Sequence, residues 1–434
     1  MKVITYRELL RIRTQYDAAA RTATFSQYIW NDRKLGRDGL QYRYVLTPTD
    51  REVTVRDYSG KDRTMRMFGS NNYLGFATHP EVVRRVQEAV AEYGVGVGGP
   101  PALNGHGPLQ RELQERLAAL EGQEAALLYG AGYSANVGLA SALPSAQDLV
   151  LYDEHTHASF LDGLKLGRAE GKTFPHGDYR AMDAALAEAS GEYRDTFVSV
   201  EGVYSMTGDV ARLDRVAESC ERHGALLILD DAHGTGVTGP GGKGTGAMFG
   251  VADKVDVVVG TFSKSFAVSG GFIAASRDIV EYLRYFSRAH VFSASVSNAV
   301  CAAVIAGLDV LESEPEIHGR LMDHCARFAE RLQAMGFEAS GVTPIFSLPA
   351  PLGADVRAMA HAFHNRGLFV NHVEAPVVPA SEQRFRISLS ALHTDEDLDE
   401  VLAAVEEIWE TYTPEAPPEP VADEPTLDAF EGGF

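Results

Sequence analysis

Lys264 follows an apolar run, Val257-Val258-Val259-Gly260, and stands among small hydroxyl residues in Gly260-Thr261-Phe262-Ser263-Lys264-Ser265. A second apolar run, Ala225-Leu226-Leu227-Ile228-Leu229, ends in Asp230-Asp231-Ala232-His233. Three β-branched residues in a row, bounded by glycine, read as a strand buried on both faces, and such strands belong to parallel sheets. In those sheets the ligand crevice lies at the carboxyl ends of the strands, so both runs aim polar residues at a site. Carboxylates at the end of a buried strand are costly unless a cationic group meets them. A lysine amine forms a Schiff base with a carbonyl, and a carboxylate holds a pyridine nitrogen protonated. Together these are the chemistry of pyridoxal phosphate, with Lys264 as the covalent anchor and Asp230 at the ring nitrogen. His233 then falls near the phenolic oxygen, and the hydroxyls of Thr261 and Ser263 suit a phosphate. Singly, each feature has an ordinary explanation, a surface lysine or an aspartate pair capping a turn; jointly the two strand ends are much more specific.

Other strand ends add partners. Ala125-Ala-Leu-Leu-Tyr129 runs into Gly130-Ala-Gly132-Tyr133-Ser-Ala-Asn136, and a strand, a glycine turn and a helix amino terminus make an anion site. The strand ending at Tyr152 is followed by Asp153-Glu-His155-Thr-His157. His-x-His points its two rings to opposite faces of a strand and no third ligand is evident, so no metal is expected and His157 reads as a ring that stacks on a planar cofactor. Asn71 and Asn72, in a turn-rich segment, are equally a plain loop or amides for a substrate carboxylate. Gly94 to Gly107 is glycine-dense but follows no strand, so it is no dinucleotide fingerprint; it lets backbone pass close to a ligand or partner.

The elements that position these residues alternate. Apolar strands near 125–129, 147–152, 196–205, 225–229 and 257–259 separated by helices imply a mainly parallel sheet with right-handed crossovers. From about 306 the pattern shifts to a helix near 315–336, a strand at 345–348, a helix near 355–366, a strand at 384–389 and a last helix capped by Thr394. The chain thus divides into an amino-terminal arm (1–55) with an amphipathic helix over 5–22, a large domain (56–305), a smaller α/β domain (306–412) and a tail (413–434). That tail has five prolines, six acids and no lysine or arginine, and should be extended or disordered. The 434 residues are 45% apolar and 23% charged, as in ordinary globular proteins, and a formal charge of −21 argues against nucleic acid as a partner. Cys220, Cys301 and Cys325 are too scattered for a disulfide framework. No stretch reaches the roughly eighteen apolar residues of a membrane span and the first residues lack a signal-peptide core, so a cytoplasmic protein is expected.

Asn71-Asn-Tyr-Leu-Gly75, Asp153-Glu-His-Thr-His-Ala-Ser159, Glu201-Gly-Val-Tyr-Ser-Met-Thr-Gly-Asp209, Asp230-Asp-Ala-His-Gly-Thr-Gly236, Gly260-Thr-Phe-Ser-Lys-Ser265 and Arg386-Ile-Ser-Leu-Ser-Ala-Leu-His-Thr394, in this order, resemble the successive motifs of the α-oxoamine synthases. These are pyridoxal-phosphate enzymes that include serine palmitoyltransferase, 8-amino-7-oxononanoate synthase and glycine C-acetyltransferase. The match runs from about 68 to 411. It implies fold type I: an α/β large domain with a mainly parallel, seven-stranded-type sheet, plus a smaller carboxy-terminal α/β domain. It implies that Lys264 carries the Schiff base, Asp230 meets the ring nitrogen, His233 the phenolic oxygen, and His157 stacks on the ring. Backbone N–H groups of Gly132 and Tyr133, with Thr261 and Ser263, match the phosphate cradle, and Ser205 a hydroxyl near the ring. Ser293 matches a phosphate contact donated by the other subunit of a homodimer with shared active sites. Asn72 and Arg386 match the positions that engage the amino-acid carboxylate.

The implied reaction is the decarboxylative condensation of a small L-amino acid (serine, alanine or glycine) with an acyl thioester, on coenzyme A or an acyl-carrier protein. Its products are an α-amino ketone, CO2 and free thiol. An aminotransferase of the same fold and a non-catalytic binding protein are the alternatives. The chain departs from the family at Pro101, where arginine is frequent, at Gln110, where histidine is usual, and in His372-Val-Glu374-Ala-Pro-Val-Val-Pro379, which puts an acid where the serine palmitoyltransferase branch has arginine.

Overall fold

The computed structural model describes residues 16–34, 40–57, 59–374 and 378–414. Most of the expected helix over 5–22 and nearly all of the tail from 413 lie outside those residues; a helix is present over Ala18–Lys34, started by Asp17, whose Oδ1 accepts from the Ala20 N–H at 2.8 Å. The strands are β1 (Tyr44–Val45), β2 (Glu52–Arg56), β3 (Asp62–Met67), β4 (Ala125–Tyr129), β5 (Leu149–Asp153), β6 (Glu170–Phe174), β7 (Thr196–Glu201), β8 (Leu226–Asp230), β9 (Val257–Thr261), β10 (Gly271–Ala275), β11 (Ile345–Pro349), β12 (Leu368–Phe369), β13 (Asn371–Val373) and β14 (Arg384–Ser388).

Seven of them form one sheet in the order β4-β10-β9-β8-β7-β5-β6. From β9 to β6 every pairing is parallel, whereas β10 runs antiparallel to both β4 and β9. Alternate side chains feed two apolar layers, as the two-residue period of a strand requires. Leu127, Tyr129, Ile228, Val257 and Val259 pack on one side; Ala126, Leu128, Leu227, Leu229 and Val258 pack on the other. Each of the buried valines, leucines and isoleucines among them stabilises the fold by about 1.5–3 kcal/mol, so Val258→Asp would undo the centre of the sheet.

Two smaller sheets complete the frame. β11-β14-β13 is antiparallel throughout, and β12 adds in parallel to β3 of the sheet β1-β2-β3-β12, pairing Leu368 with Arg66. Asp397 holds this junction. It caps the last helix, Asp395–Tyr412, reciprocally with Thr394, and accepts from Arg51 Nε at 2.6 Å and Arg66 Nε at 2.8 Å. Leu398, Val401, Leu402, Val405 and Ile408 are the buried face of that helix. Cys220, Cys301 and Cys325 are buried free thiols. Among the described residues no helix is long and apolar enough to cross a membrane.

Candidate active site

A cavity of about 420 Å³ opens at the carboxyl ends of β7, β8 and β9, closed on one side by the helix Gly132–Ala142 and on another by Arg386 of β14. Lys264, Asp230, His233, His157, Gly132, Tyr133, Ser205, Thr261, Ser263 and Arg386 all line it. Lys264 leaves the end of β9 on a turn that folds back on itself: Phe262 N–H donates to Gly270 O, Val268 N–H to Phe262 O and Ala267 N–H to Lys264 O, all at 3.0 Å. Ala267 sits at φ 55°, a left-handed conformation that costs a non-glycine residue roughly 1–2 kcal/mol. The sheet below holds that strain in place at a functional turn. Burial pushes the Lys264 amine down to about 8, chiefly against the pull of Asp230. The amine is therefore more readily neutral, and more nucleophilic, than an ordinary lysine.

Asp230 is in register with Val259 on β9. Its Oδ2 accepts from Asn136 Nδ2 at 2.7 Å and its Oδ1 from Ala232 N–H at 3.1 Å. The same Asn136 amide donates to Ser159 Oγ at 3.0 Å, and Ser159 Oγ meets His157 Nδ1 at 2.7 Å. One chain of hydrogen bonds therefore fixes both the carboxylate and the His157 ring. Burial, opposed by Asp230, lowers the His157 imidazole, and burial next to Lys264 and Arg386 pushes His233 well below the usual histidine range. Both rings are neutral at pH 7. His233 Nδ1 and Tyr73 Oη are hydrogen-bonded at 2.8 Å.

Gly132 begins its helix against β9. A Cβ there would meet Thr261 Cβ at 2.8 Å and Thr261 Oγ1 at 2.9 Å, so only glycine admits this approach. The free N–H groups of the first turn then lie beside Thr261 Oγ1 and Ser263 Oγ, which are 2.8 Å apart. This is a cradle for a doubly charged phosphate. With an amine, a ring-nitrogen carboxylate, a flat neutral imidazole and an anion cradle around one cavity, the residues fit pyridoxal phosphate. Two buried acceptors, Asn136 Oδ1 and Glu201 Oε1, have no protein partner.

Asn72 is a correction. Its Nδ2 donates to Thr49 O at 3.3 Å and its Oδ1 accepts from Ala77 N–H at 3.2 Å, so its amide is engaged by its own loop. Asn71 lines the cavity instead, accepting from Arg386 Nη1 and Nη2 at 3.1 Å. The physical reason is the turn itself, in which consecutive side chains point to opposite sides. Ser293 is exposed in the segment after the helix Arg288–Val291, apart from the cavity of its own chain. Gln110 bridges Val296 O (2.9 Å) and Asn298 Oδ1 (3.1 Å), which fixes the segment that follows Ser293. The glycine-dense run packs there too, with Ser295 N–H donating to Gly99 O at 3.0 Å. Glu374 pairs with Arg357 at 2.8 Å.

The residues around His155 also cluster: ligand atoms of Asp153, His155 and His176 lie within 4.8 Å of one another. Both nitrogens of His176 already face carboxylates, Asp153 at 2.9 Å and Asp209 at 2.7 Å. Against the cost of burial, those two bonds push the imidazole up to about 10, so it is held as a cation at pH 7. Glu201 was not singled out as a site residue from the sequence, although it ends β7 as Asp230 ends β8 and the two are in register.

The family model for aminotransferase class I and II matches residues 63–405. The chain is 38% identical over 356 residues to the 4-hydroxy-2,2'-bipyrrole-5-methanol synthase PigH of a Serratia species, covering 82% of this chain but 54% of that one, so it spans about half of that relative. It is 37% identical to the serine palmitoyltransferase of Bacteriovorax stolpii over 84% of this chain and 87% of that one. To the 8-amino-7-oxononanoate synthase of an Anaeromyxobacter species it is 40% identical, over 80% and 87%. A solved serine palmitoyltransferase from S. paucimobilis superimposes with a TM-score of 0.84 at 28% identity, covering 91% of this chain and 99% of that one.

Proposed function

Because this chain belongs to the aminotransferase class I and II family, within its α-oxoamine synthases, we propose that it joins a small L-amino acid to an acyl thioester with loss of CO2. It is a pyridoxal-phosphate enzyme of the acyltransferase type. When bound, the cofactor supplies an electron sink for negative charge at the amino-acid Cα. The bond formed joins that Cα to the acyl carbonyl carbon. The acyl carbon–sulfur bond and the Cα–carboxylate bond break, releasing thiol and CO2, and a proton returns to Cα to leave an α-amino ketone.

The chain's own groups divide this work. Lys264 would hold the cofactor aldehyde and, as an amine pushed down to about 8, is suited to take the Cα proton. Asp230, held by Asn136 and the Ala232 N–H, would keep a proton on the cofactor's ring nitrogen. His157 would stack on the cofactor ring, and His233, oriented by Tyr73, would serve its phenolic oxygen. Gly132, Tyr133, Thr261 and Ser263 take the phosphate. Arg386 and Asn71 receive the substrate carboxylate through the planar guanidinium fork. Ser293 of a second copy completes the cradle in a homodimer with shared sites, in the cytoplasm.

The observation that carries this reading is that Asp230 ends β8, Lys264 follows the end of the adjoining parallel β9, and both face one cavity with Arg386. An aminotransferase would use the same groups. Serine, alanine and glycine should be tested against acyl-CoA and acyl-carrier donors, scoring CO2 and free thiol. Release of both supports condensation, whereas a keto acid formed without CO2 supports transamination.

A further inference from the structure

Glu201 ends β7 directly beside Asp230 on β8, and two residues in register on parallel neighbours project to the same face of a sheet. Both carboxyls line the cavity, and Glu201 is 4% exposed. Their surroundings differ. Asp230 accepts from the Asn136 amide, while Glu201 makes no ion pair among the described residues and its Oε1 has no partner. An ionised carboxylate buried beside another carries both a desolvation cost and a repulsion, and a proton removes both. Glu201 lines the cavity together with His157, Ser205 and Lys264. Burial, and then Asp230, push its pKa well above the usual carboxylate range, with Lys264 acting against them.

We propose that Glu201 is a positioning residue, a neutral carboxylic acid that acts through Lys264 by leaving Asp230 as the lone anion of the pair. This rests on the roles assigned above to Lys264 and Asp230. A second ionised carboxylate would hold the Lys264 amine protonated to higher pH, where it neither attacks an aldehyde nor accepts a proton. Neutral Glu201 leaves that amine free, and Asp230 alone faces the ring nitrogen.

The direct test is difference infrared spectroscopy on the cofactor-free protein, wild type minus Glu201→Gln, at pH 7. A carboxylic-acid C=O band that vanishes in the variant is expected; a carboxylate band in its place would overturn the proposal. In the cofactor-loaded protein, Glu201→Gln, a neutral isostere, should keep kcat/KM within about threefold and leave its pH profile unmoved, whereas Glu201→Ala should lose about tenfold or more. A displaced pH profile in the Gln variant would show that a charge had been removed, and would also overturn it. The infrared result bears on Glu201 alone and uptake of pyridoxal phosphate bears on the functional reading alone, so the two fail separately.

Discussion

Arg386 Nε donates to the backbone carbonyl of Ser205 at 2.7 Å, which fastens β14 of the carboxy-terminal sheet to the segment leaving β7 of the large one. The guanidinium is thereby aimed across the cavity, with its Nη atoms 3.1 Å from Asn71 Oδ1. Arg386→Lys keeps the charge and loses the fork. The KM for the amino acid should rise about tenfold or more while the KM for the acyl donor stays within about twofold, as steady-state kinetics with each substrate varied will report.

The two neighbouring asparagines separate function from stability. Asn71→Ala should raise the amino-acid KM with little change in melting temperature. Asn72→Ala removes hydrogen bonds to Thr49 and Ala77, and should lower stability by about 1–2 kcal/mol with kinetics nearly unchanged. Thermal denaturation and kinetics on both variants check this, and the reverse pattern would restore Asn72 to the site.

Much of the site was legible because polar residues interrupt apolar runs. Lys264 and Asp230 each end such a run, and strands of that composition could only be buried in a parallel sheet. Arg386 was not visible this way: Arg-Phe-Arg-Ile-Ser alternates like any half-buried strand, and only the family motif marked it. Nothing in composition separates Asn71 from Asn72, since turn geometry alone decides which amide faces the cavity. Glu201 ends its strand in polar residues as three other strands do, and its proximity to Asp230 is a matter of sheet order, which spacing does not encode. The antiparallel β10 escaped notice because Gly271-Phe-Ile-Ala-Ala275 is short and wholly buried, without a period of its own.

His176 gives a pH signature. Its folded pKa of about 10 lies above the unfolded value of about 6.5. The stabilisation from its pairs with Asp153 and Asp209 is therefore complete below about pH 6.5 and is lost as pH rises towards 10. Chemical denaturation of wild type and His176→Gln should show the difference between them shrinking over that window. A constant difference from pH 6 to 10 would mean that the imidazole is neutral.

Gly132→Ala places a Cβ 2.8 Å from Thr261 Cβ. The helix must shift away from β9, which opens the phosphate cradle. Titrating the cofactor-free variant with pyridoxal phosphate should show affinity weakened about tenfold or more, with the fold retained by circular dichroism.

The central claim is that Lys264 holds the cofactor. Protein loaded with pyridoxal phosphate should be reduced with borohydride, digested and mapped by mass spectrometry. The expected result is a single pyridoxyl adduct on the peptide containing Lys264, absent in Lys264→Ala. An adduct on another lysine, or no uptake of the cofactor at all, would contradict it.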